Sequence, residues 1–373
     1  MQNNFTAKAN FIWSVADLIR DTFKRGRYQE VILPFTVLRR IDAVLAPTKD
    51  EVLEKYKAYR DRLDNLTPLL TQASGYAFYN TSPYTFERLL ADPHNLADNL
   101  RAYIAGFSPN MREVLDNFDF HRTIERLDEA GLLYLVIERF NQIDLHPDVV
   151  PNHEMGTIFE ELIRRFNEAL NENPGEHFTP RDVINLMVRL LIAPDREMLR
   201  QPHIVRKVYD PCCGTGGMLT LTKDTIQALN PQANVYLYGQ EVNPETYAVC
   251  KSDLYMKDPT GRDAEHITRG STLAEDHHVG QAFGYQLANP PYGKDWKMDR
   301  EAVEREAERG HAGRFGAGTP RVSDGQLLFL QHMLSHRSRP EEGGGRIAIV
   351  MNGSPLFTGD AGSGESEIRR WIL

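Results

Sequence analysis

The chain has 373 residues, of which 41% are hydrophobic, with a formal net charge of −9 and three cysteines. That length allows two or three domains, the apolar content excludes a disordered chain, and no apolar run reaches the length of a membrane span. The acidic balance argues against a chain that grips nucleic acid unaided, because phosphate neutralisation supplies much of such affinity; any grip on DNA would be borrowed from a partner or concentrated locally.

Two of the cysteines are adjacent, Cys212–Cys213, which makes neither a disulfide framework nor a metal-ligand spacing and fits a reducing cytoplasm. Residues Met1–Phe5 carry neither a basic region nor an apolar signal segment. Residues 1–150 read as an all-α N-terminal domain. Phe11, Ile12, Val15, Leu18, Ile19 and Phe23 recur at helical spacing, and Val31, Leu33, Phe35, Val37, Leu38 and Ile41 follow. Further amphipathic segments are expected at Glu51–Leu66, Phe86–Leu90, Leu96–Ile104, Met111–Phe118 and Leu127–Phe140. The basic pairs Lys24–Arg25 and Arg39–Arg40 read as a solvated helix face rather than a DNA contact.

Residues 141–154 read as a linker, and residues 151–373 as a second domain. A helix Met155–Leu170 presents Ile158, Phe159, Leu162, Ile163 and Phe166 on one side. Thr179 is expected to cap the next helix, with Pro180 in its first turn. The short apolar run Ile204–Val205, then Val208–Tyr209, reads as a buried parallel strand. It ends in Asp210-Pro211-Cys212-Cys213-Gly214-Thr215-Gly216-Gly217, before a helix from Met218 to about Leu229. Strand, glycine turn and helix form the first half of a Rossmann-like unit, with a ligand beyond the strand's carboxyl end. Gly214 and Gly216 admit backbone conformations closed to other residues and let a ligand approach the main chain. The third glycine of the dinucleotide fingerprint is missing at the usual spacing.

Val235–Glu241 is a second apolar strand ending in an acid, at a distance past the glycine turn that suits an acceptor for two ribose hydroxyls. Pro244 opens another helix, and Ile267 lies in a weak third strand before Gly270-Ser271. His277–His278 lacks a third metal ligand at useful spacing and reads as surface loop. Tyr285–Ala288 leads into Asn289-Pro290-Pro291-Tyr292. The two prolines fix the backbone and remove two donors. The Asn289 amide oxygen, the Pro290 carbonyl and an aromatic face remain, a combination suited to an amino group on a flat ring.

Residues 294–321 are glycine-rich and charged. Arg300, Arg305, Arg309, Arg314 and Arg321 are interleaved with glutamates, which fits either a loop that follows DNA phosphates or a solvated helix. A helix Gly325–His336, a buried strand Arg346–Met351 and a helix from Glu365 follow.

Asp210–Gly217 together with Asn289–Tyr292 resembles the S-adenosylmethionine-dependent amino-methyltransferases. Glu176-His177-Phe178-Thr179-Pro180-Arg181 and Leu328–Leu334, followed by Gly344–Val350, resemble specifically the methyltransferase (M) subunit of type I restriction-modification systems. The matching order covers most of residues 150–373, and the N-terminal part resembles that family's helical domain more diffusely. The resemblance implies an α/β, Rossmann-like domain with a mainly parallel sheet. It implies S-adenosyl-L-methionine as cofactor and N6 of a flipped adenine in DNA as acceptor. The partners implied are DNA, a separate specificity subunit and the restriction (motor and nuclease) subunit, in the cytoplasm. Asn289, Pro290, Pro291 and Tyr292 would be catalytic. Glu176–Arg181 and Asp210–Gly217 would line the cofactor's methionine end, Glu241 its ribose, and Ser271 its adenine. Family members usually carry an acid or amide where Ser271 stands, and Asp276 is the alternative contact. No metal is required. Such enzymes continue through further strands and a helical tail, so the chain reads as C-terminally truncated. The alternatives are a scaffold that binds DNA or a partner without turnover, and a methyltransferase acting on protein glutamine amides, which also uses Asn-Pro-Pro-Tyr.

Overall fold

A computed structural model describes residues 2–170 and 179–373. The chain divides into two compact units, Met1–Pro174 with Pro244–Glu265, and Gly175–Asn243 with His266–Leu373.

The first unit is built of helices, with one isolated antiparallel bridge, Asn80 to Phe107, among its described residues. Its central helix, Gln29–Leu45, is buried along almost its whole length, as expected of a helix apolar on every side. Arg40 is buried within it and donates to the Leu145 carbonyl, to the Val150 carbonyl at 2.8 Å and to Asn152 Oδ1 at 2.7 Å. Burial lowers its pKa to about 10. Arg39 pairs with Asp42 at 2.9 Å and donates to the Ile143 carbonyl at 3.0 Å. Arg39–Arg40 is therefore not a solvated face. It fastens the segment after Asn141 onto the central helix. The expected helix Leu127–Phe140 is two helices, Phe120–Glu129 and Leu133–Asn141, because Gly131 between them takes a left-handed φ of 66°. The helix expected over Glu51–Leu66 spans Lys49–Tyr59. The helix Asn152–Leu170 buries Ile158, Phe159, Leu162, Ile163 and Phe166.

The second unit is α/β. Its strands are β1 (Val205–Asp210), β2 (Asn234–Glu241), β3 (His266–Arg269), β4 (Tyr285–Ala288) and β5 (Arg346–Ile349). All pairings are parallel, in the order β3-β2-β1-β4-β5. The helix Gly217–Leu229 carries the chain from β1 to β2, the crossover a parallel pair requires. After β3 the chain returns to the other side of β1, so the direction of winding reverses between β1 and β4. In open α/β sheets the crevice at such a reversal, beyond the carboxyl ends of the strands, is where ligands bind. β4 is fully buried, its one polar residue, Gln286, donating to the Met333 carbonyl at 2.8 Å. β5 is only half-buried, not the buried strand its sequence suggests, since among the described strands it has a neighbour on one side only. Arg346 anchors it through a bidentate pair with Asp195 at 2.8 and 2.9 Å.

Candidate active site

Asp210 and Asn289 stand at the carboxyl ends of the adjacent strands β1 and β4. Asp210 is buried, and its Oδ1 accepts the Cys212 N–H at 3.0 Å. The Cys213 N–H donates to the Gln240 carbonyl at 3.1 Å and the Gly216 N–H to the Cys213 carbonyl at 2.8 Å, which folds the turn back over β2. Gly214 and Gly216 have φ of 54° and 81°, the left-handed region that disfavours side chains. A Cβ on Gly214 would meet nothing within 4 Å, so open space lies in front of the turn. Gly239, inside β2, is a glycine for another reason: a Cβ there would come within 2.9 Å of the Cys213 sulfur. Pro211 is buried, Thr215 half-buried, and Gly217 begins the following helix.

Glu241, at the end of β2, is buried and joins two turns. Its Oε2 accepts the Gly214 N–H at 2.9 Å and its Oε1 the Asn243 N–H at 2.8 Å. The Val242 N–H also faces the carboxylate, so of its roughly four lone-pair sites about one stays open for a further donor. Burial raises the pKa of both acids. Asp210, which also feels the Glu241 charge, is pushed up to about 7. The Cys212 thiol is pushed well up by burial and then by the Asp210 carboxylate, and the Asn289 backbone N–H faces its sulfur. The glycine turn and the Asn-Pro-Pro-Tyr stretch are thus in contact.

Asn289 Nδ2 donates to Thr179 Oγ1 at 2.9 Å, and Asn289 Oδ1 accepts the Tyr292 hydroxyl. Thr179 therefore does not cap the helix Arg181–Ile192, whose N-cap is Pro180, without a side-chain bond. Thr179 steers Asn289 instead. The Asn289 oxygen, which the sequence leaves aimed outward, is occupied by the neighbouring Tyr292 hydroxyl. Pro290 is buried, Pro291 and Tyr292 are half-buried, and burial raises the Tyr292 pKa to about 12. Pro180 is exposed and Arg181 half-buried. Glu176, His177 and Phe178 lie outside the described residues.

After β3, the Ser271 hydroxyl accepts the Ala274 N–H at 3.4 Å. Asp276 turns elsewhere: its Oδ2 pairs with His336 Nε2 at 2.9 Å and its Oδ1 accepts the His278 N–H at 2.9 Å. The neighbouring Thr272, which no sequence motif singles out, donates its hydroxyl to the Pro211 carbonyl. His278 is buried with its ring against the Gly239 carbonyl, so His277–His278 is not simply a surface loop. Asp276, His332 and His336 bring metal-ligating atoms within 4.8 Å of one another. His332 Nδ1, however, is 3.0 Å from the Arg314 guanidinium, which already supplies positive charge there.

Residues 151–373 match the family model for N-6 DNA methylase, and residues 8–140 the model for the HsdM N-terminal domain. The chain is similar to the HindI methylase subunit of a type I restriction enzyme from Haemophilus influenzae, 28% identical over 59% of this chain and 44% of that one. It is also similar to the MjaIX methylase subunit of a type I restriction enzyme from Methanocaldococcus jannaschii, 22% identical over 98% of this chain and 63% of that one. The chain thus spans only part of the length of these relatives. Among solved structures, the methyltransferase subunit of a type I restriction-modification system from Streptococcus thermophilus has a TM-score of 0.70 at 20% identity, covering 99% of this chain and 79% of that one. A structure from a study of complex assembly of the type I restriction-modification system has a TM-score of 0.52 at 22% identity, covering 98% and 67%. No described helix is long and apolar enough to cross a membrane. With more than half of its residues inside the N-6 DNA methylase model and both parts matched in order, the chain belongs to that family, among the methyltransferase subunits of type I restriction-modification systems.

Proposed function

We propose that the chain transfers a methyl group from S-adenosylmethionine to N6 of an adenine flipped out of duplex DNA, in the cytoplasm, with the DNA sequence chosen by a separate specificity subunit. The observation that carries this reading is the contact between two stretches: the glycine turn, with its buried acids Asp210 and Glu241, and Asn289–Tyr292 on the next strand. The residues fit the cofactor. Glu241 is a buried carboxylate beside the turn with an acceptor position for a ribose hydroxyl, Gly214 leaves a space that a side chain would fill, and Asp210 is a buried acid whose ionised form a cation would favour. Bound there, the cofactor supplies an activated methyl on a sulfonium.

The adenine amine is a poor nucleophile because its lone pair is delocalised into the ring. Asn289 Oδ1 and the Pro290 carbonyl, accepting its two N–H groups, would localise that lone pair toward the methyl. Thr179 holds the Asn289 amide in place for this task. The incoming amine would displace the Tyr292 hydroxyl from Asn289 Oδ1 and free the Tyr292 ring to stack on the base. A base within a duplex cannot reach such a pocket, so flipping is required.

Asp210 makes this reading testable by pH. Its pKa is raised on folding from 3.8 to about 7, so the folded chain holds a proton that the unfolded chain loses. The stability this group contributes is fully present below pH 3.8 and is lost as pH rises through about 7. A cationic ligand beside it reverses the preference. Binding S-adenosylmethionine at about pH 6.5 should release up to roughly three-quarters of a proton, measurable by calorimetry in buffers of different ionisation enthalpy. Asp210→Asn should abolish that release; release unchanged in the variant would remove Asp210 from the site.

The charge of the chain supports a borrowed grip on DNA. Arg300 and Arg305 pair with Glu304 and Glu301, and Arg314 is buried against Glu306. Within 294–321, Arg314 is thus withdrawn from phosphates, whereas Arg300 and Arg305 stay exposed in surface pairs. The chain alone should bind DNA weakly and lose that binding steeply with salt. Tight, sequence-specific binding by the chain alone at physiological salt would contradict a separate specificity subunit. The restriction subunit would join as the third component.

A further inference from the structure

Arg314 is one of the arginines that the sequence offers as a DNA-phosphate contact, yet its side chain is only 8% exposed. All five of its N–H donors are engaged. Nε donates to Glu306 Oε1 at 2.9 Å, and Nη2 to Glu306 Oε2 at 2.7 Å and to the Leu273 carbonyl at 3.3 Å. Nη1 faces the Thr272 carbonyl at 2.6 Å and His332 Nδ1 at 3.0 Å. One guanidinium therefore joins three separate segments: its own, the loop after β3, and the helix Gln326–Ser335. His332 comes from the stretch Leu328–Leu334, to which methyl transfer itself assigns no role. For Nδ1 to accept from Arg314, its proton sits on Nε2, which faces the Tyr209 hydroxyl at 2.8 Å.

Two links run from this junction to the cofactor turn. Thr272, whose carbonyl Arg314 holds, donates its hydroxyl to the Pro211 carbonyl. Leu273 and Phe315, the neighbours of Thr272 and Arg314, share an apolar cluster with Trp296 and Phe329, against which Cys212 packs. The polar bonds set direction and the apolar cluster excludes water from them. Lysine, a single ammonium with three donors, cannot satisfy the same five acceptor contacts.

We propose that Arg314, acting through Thr272, is a positioning residue for the cofactor turn: it fixes the loop after β3 so that the Thr272 hydroxyl holds the Pro211 carbonyl and, with it, the backbone of Pro211–Gly214. This rests on the methyltransferase reading above. Arg314 then serves the cofactor side of the site rather than DNA phosphates. A purely structural Arg314 would matter for stability and leave cofactor affinity alone, and that difference is measurable.

The test is S-adenosylmethionine affinity by calorimetry, together with melting temperature, for the full chain and the variants Thr272→Ser, Thr272→Val, Arg314→Lys and the double variant Arg314→Lys with Thr272→Val. Thr272→Val, which leaves the Arg314 bonds whole, should weaken affinity about tenfold, as loss of a buried hydrogen bond does. Thr272→Ser keeps the hydroxyl and should restore affinity to within about twofold of wild type. Arg314→Lys should weaken it about tenfold or more, and adding Thr272→Val should cost little further, because both act through one bond. Arg314→Lys with a lowered melting temperature but wild-type affinity would overturn the proposal, as would Thr272→Ser as weak as Thr272→Val. Should Arg314→Lys fail to fold, the two Thr272 variants alone decide. A wild-type chain that binds no S-adenosylmethionine would bring down the methyltransferase reading and this inference together; wild-type binding with unaffected variants brings down only the inference.

Discussion

Asn289→Ala is expected to lower methyl transfer by about a hundredfold to a thousandfold, the range for loss of one preorganised transition-state hydrogen bond, with cofactor affinity changed by less than about threefold. The asymmetry follows from placement. Asn289 bonds Thr179 and Tyr292 through its side chain, whereas the cofactor turn meets its backbone, which alanine retains. Tyr292 separates two roles at the same locus. Tyr292→Ala removes a stacking surface worth about 1–3 kcal/mol for a base on an aromatic ring. Tyr292→Phe keeps the ring and removes the hydroxyl that occupies Asn289 Oδ1. It should retain activity near the wild-type level, because the acceptor is then free for the target amine. Single-turnover rates with saturating cofactor should fall in a definite order. Wild type and Tyr292→Phe should be similar, Tyr292→Ala lower, and Asn289→Ala near background. A Tyr292→Phe variant as inactive as Tyr292→Ala would mean that the hydroxyl carries chemistry and that stacking is the wrong role.

Glu241→Ala should weaken S-adenosylmethionine binding by about 1–3 kcal/mol, the cost of leaving buried donors without an acceptor. Glu241→Gln should do little better. Both carboxylate oxygens accept backbone N–H groups, from Gly214 and Asn243, so an amide must turn its own NH2 against one of them. Calorimetry giving wild-type affinity for either variant would remove Glu241 from the cofactor site.

The parts of the site legible in the sequence are those whose signal is local. Asp210–Gly217 announces a strand end, left-handed glycines and a helix start within one short stretch, and Gly214 and Gly216 adopt those conformations. The acid closing β2 and the prolines after β4 are local in the same way. Expectations fail where a distant partner decides. Thr179 resembles a cap, but its hydroxyl bonds Asn289 across the fold. Arg39–Arg40 resembles a solvated pair, but the segment Ile143–Asn152 covers it. Gly131 reads as helix interior because the apolar period continues on both sides of it. Arg314 is illegible as a hub, since its acceptors belong to Thr272, Leu273, Glu306 and His332, and no spacing rule links those positions. His278 follows the same rule, buried by the Gly239 carbonyl of a strand far from it in sequence.

Adenine methylation is tested most directly by labelled-methyl transfer from S-adenosylmethionine to DNA by the protein assembled with its specificity subunit, followed by hydrolysis to nucleosides. Label is expected in N6-methyladenine, with Asn289→Ala at background while still binding cofactor. Label on cytosine or on protein glutamine, or equal labelling of adenine by wild type and Asn289→Ala, would contradict it.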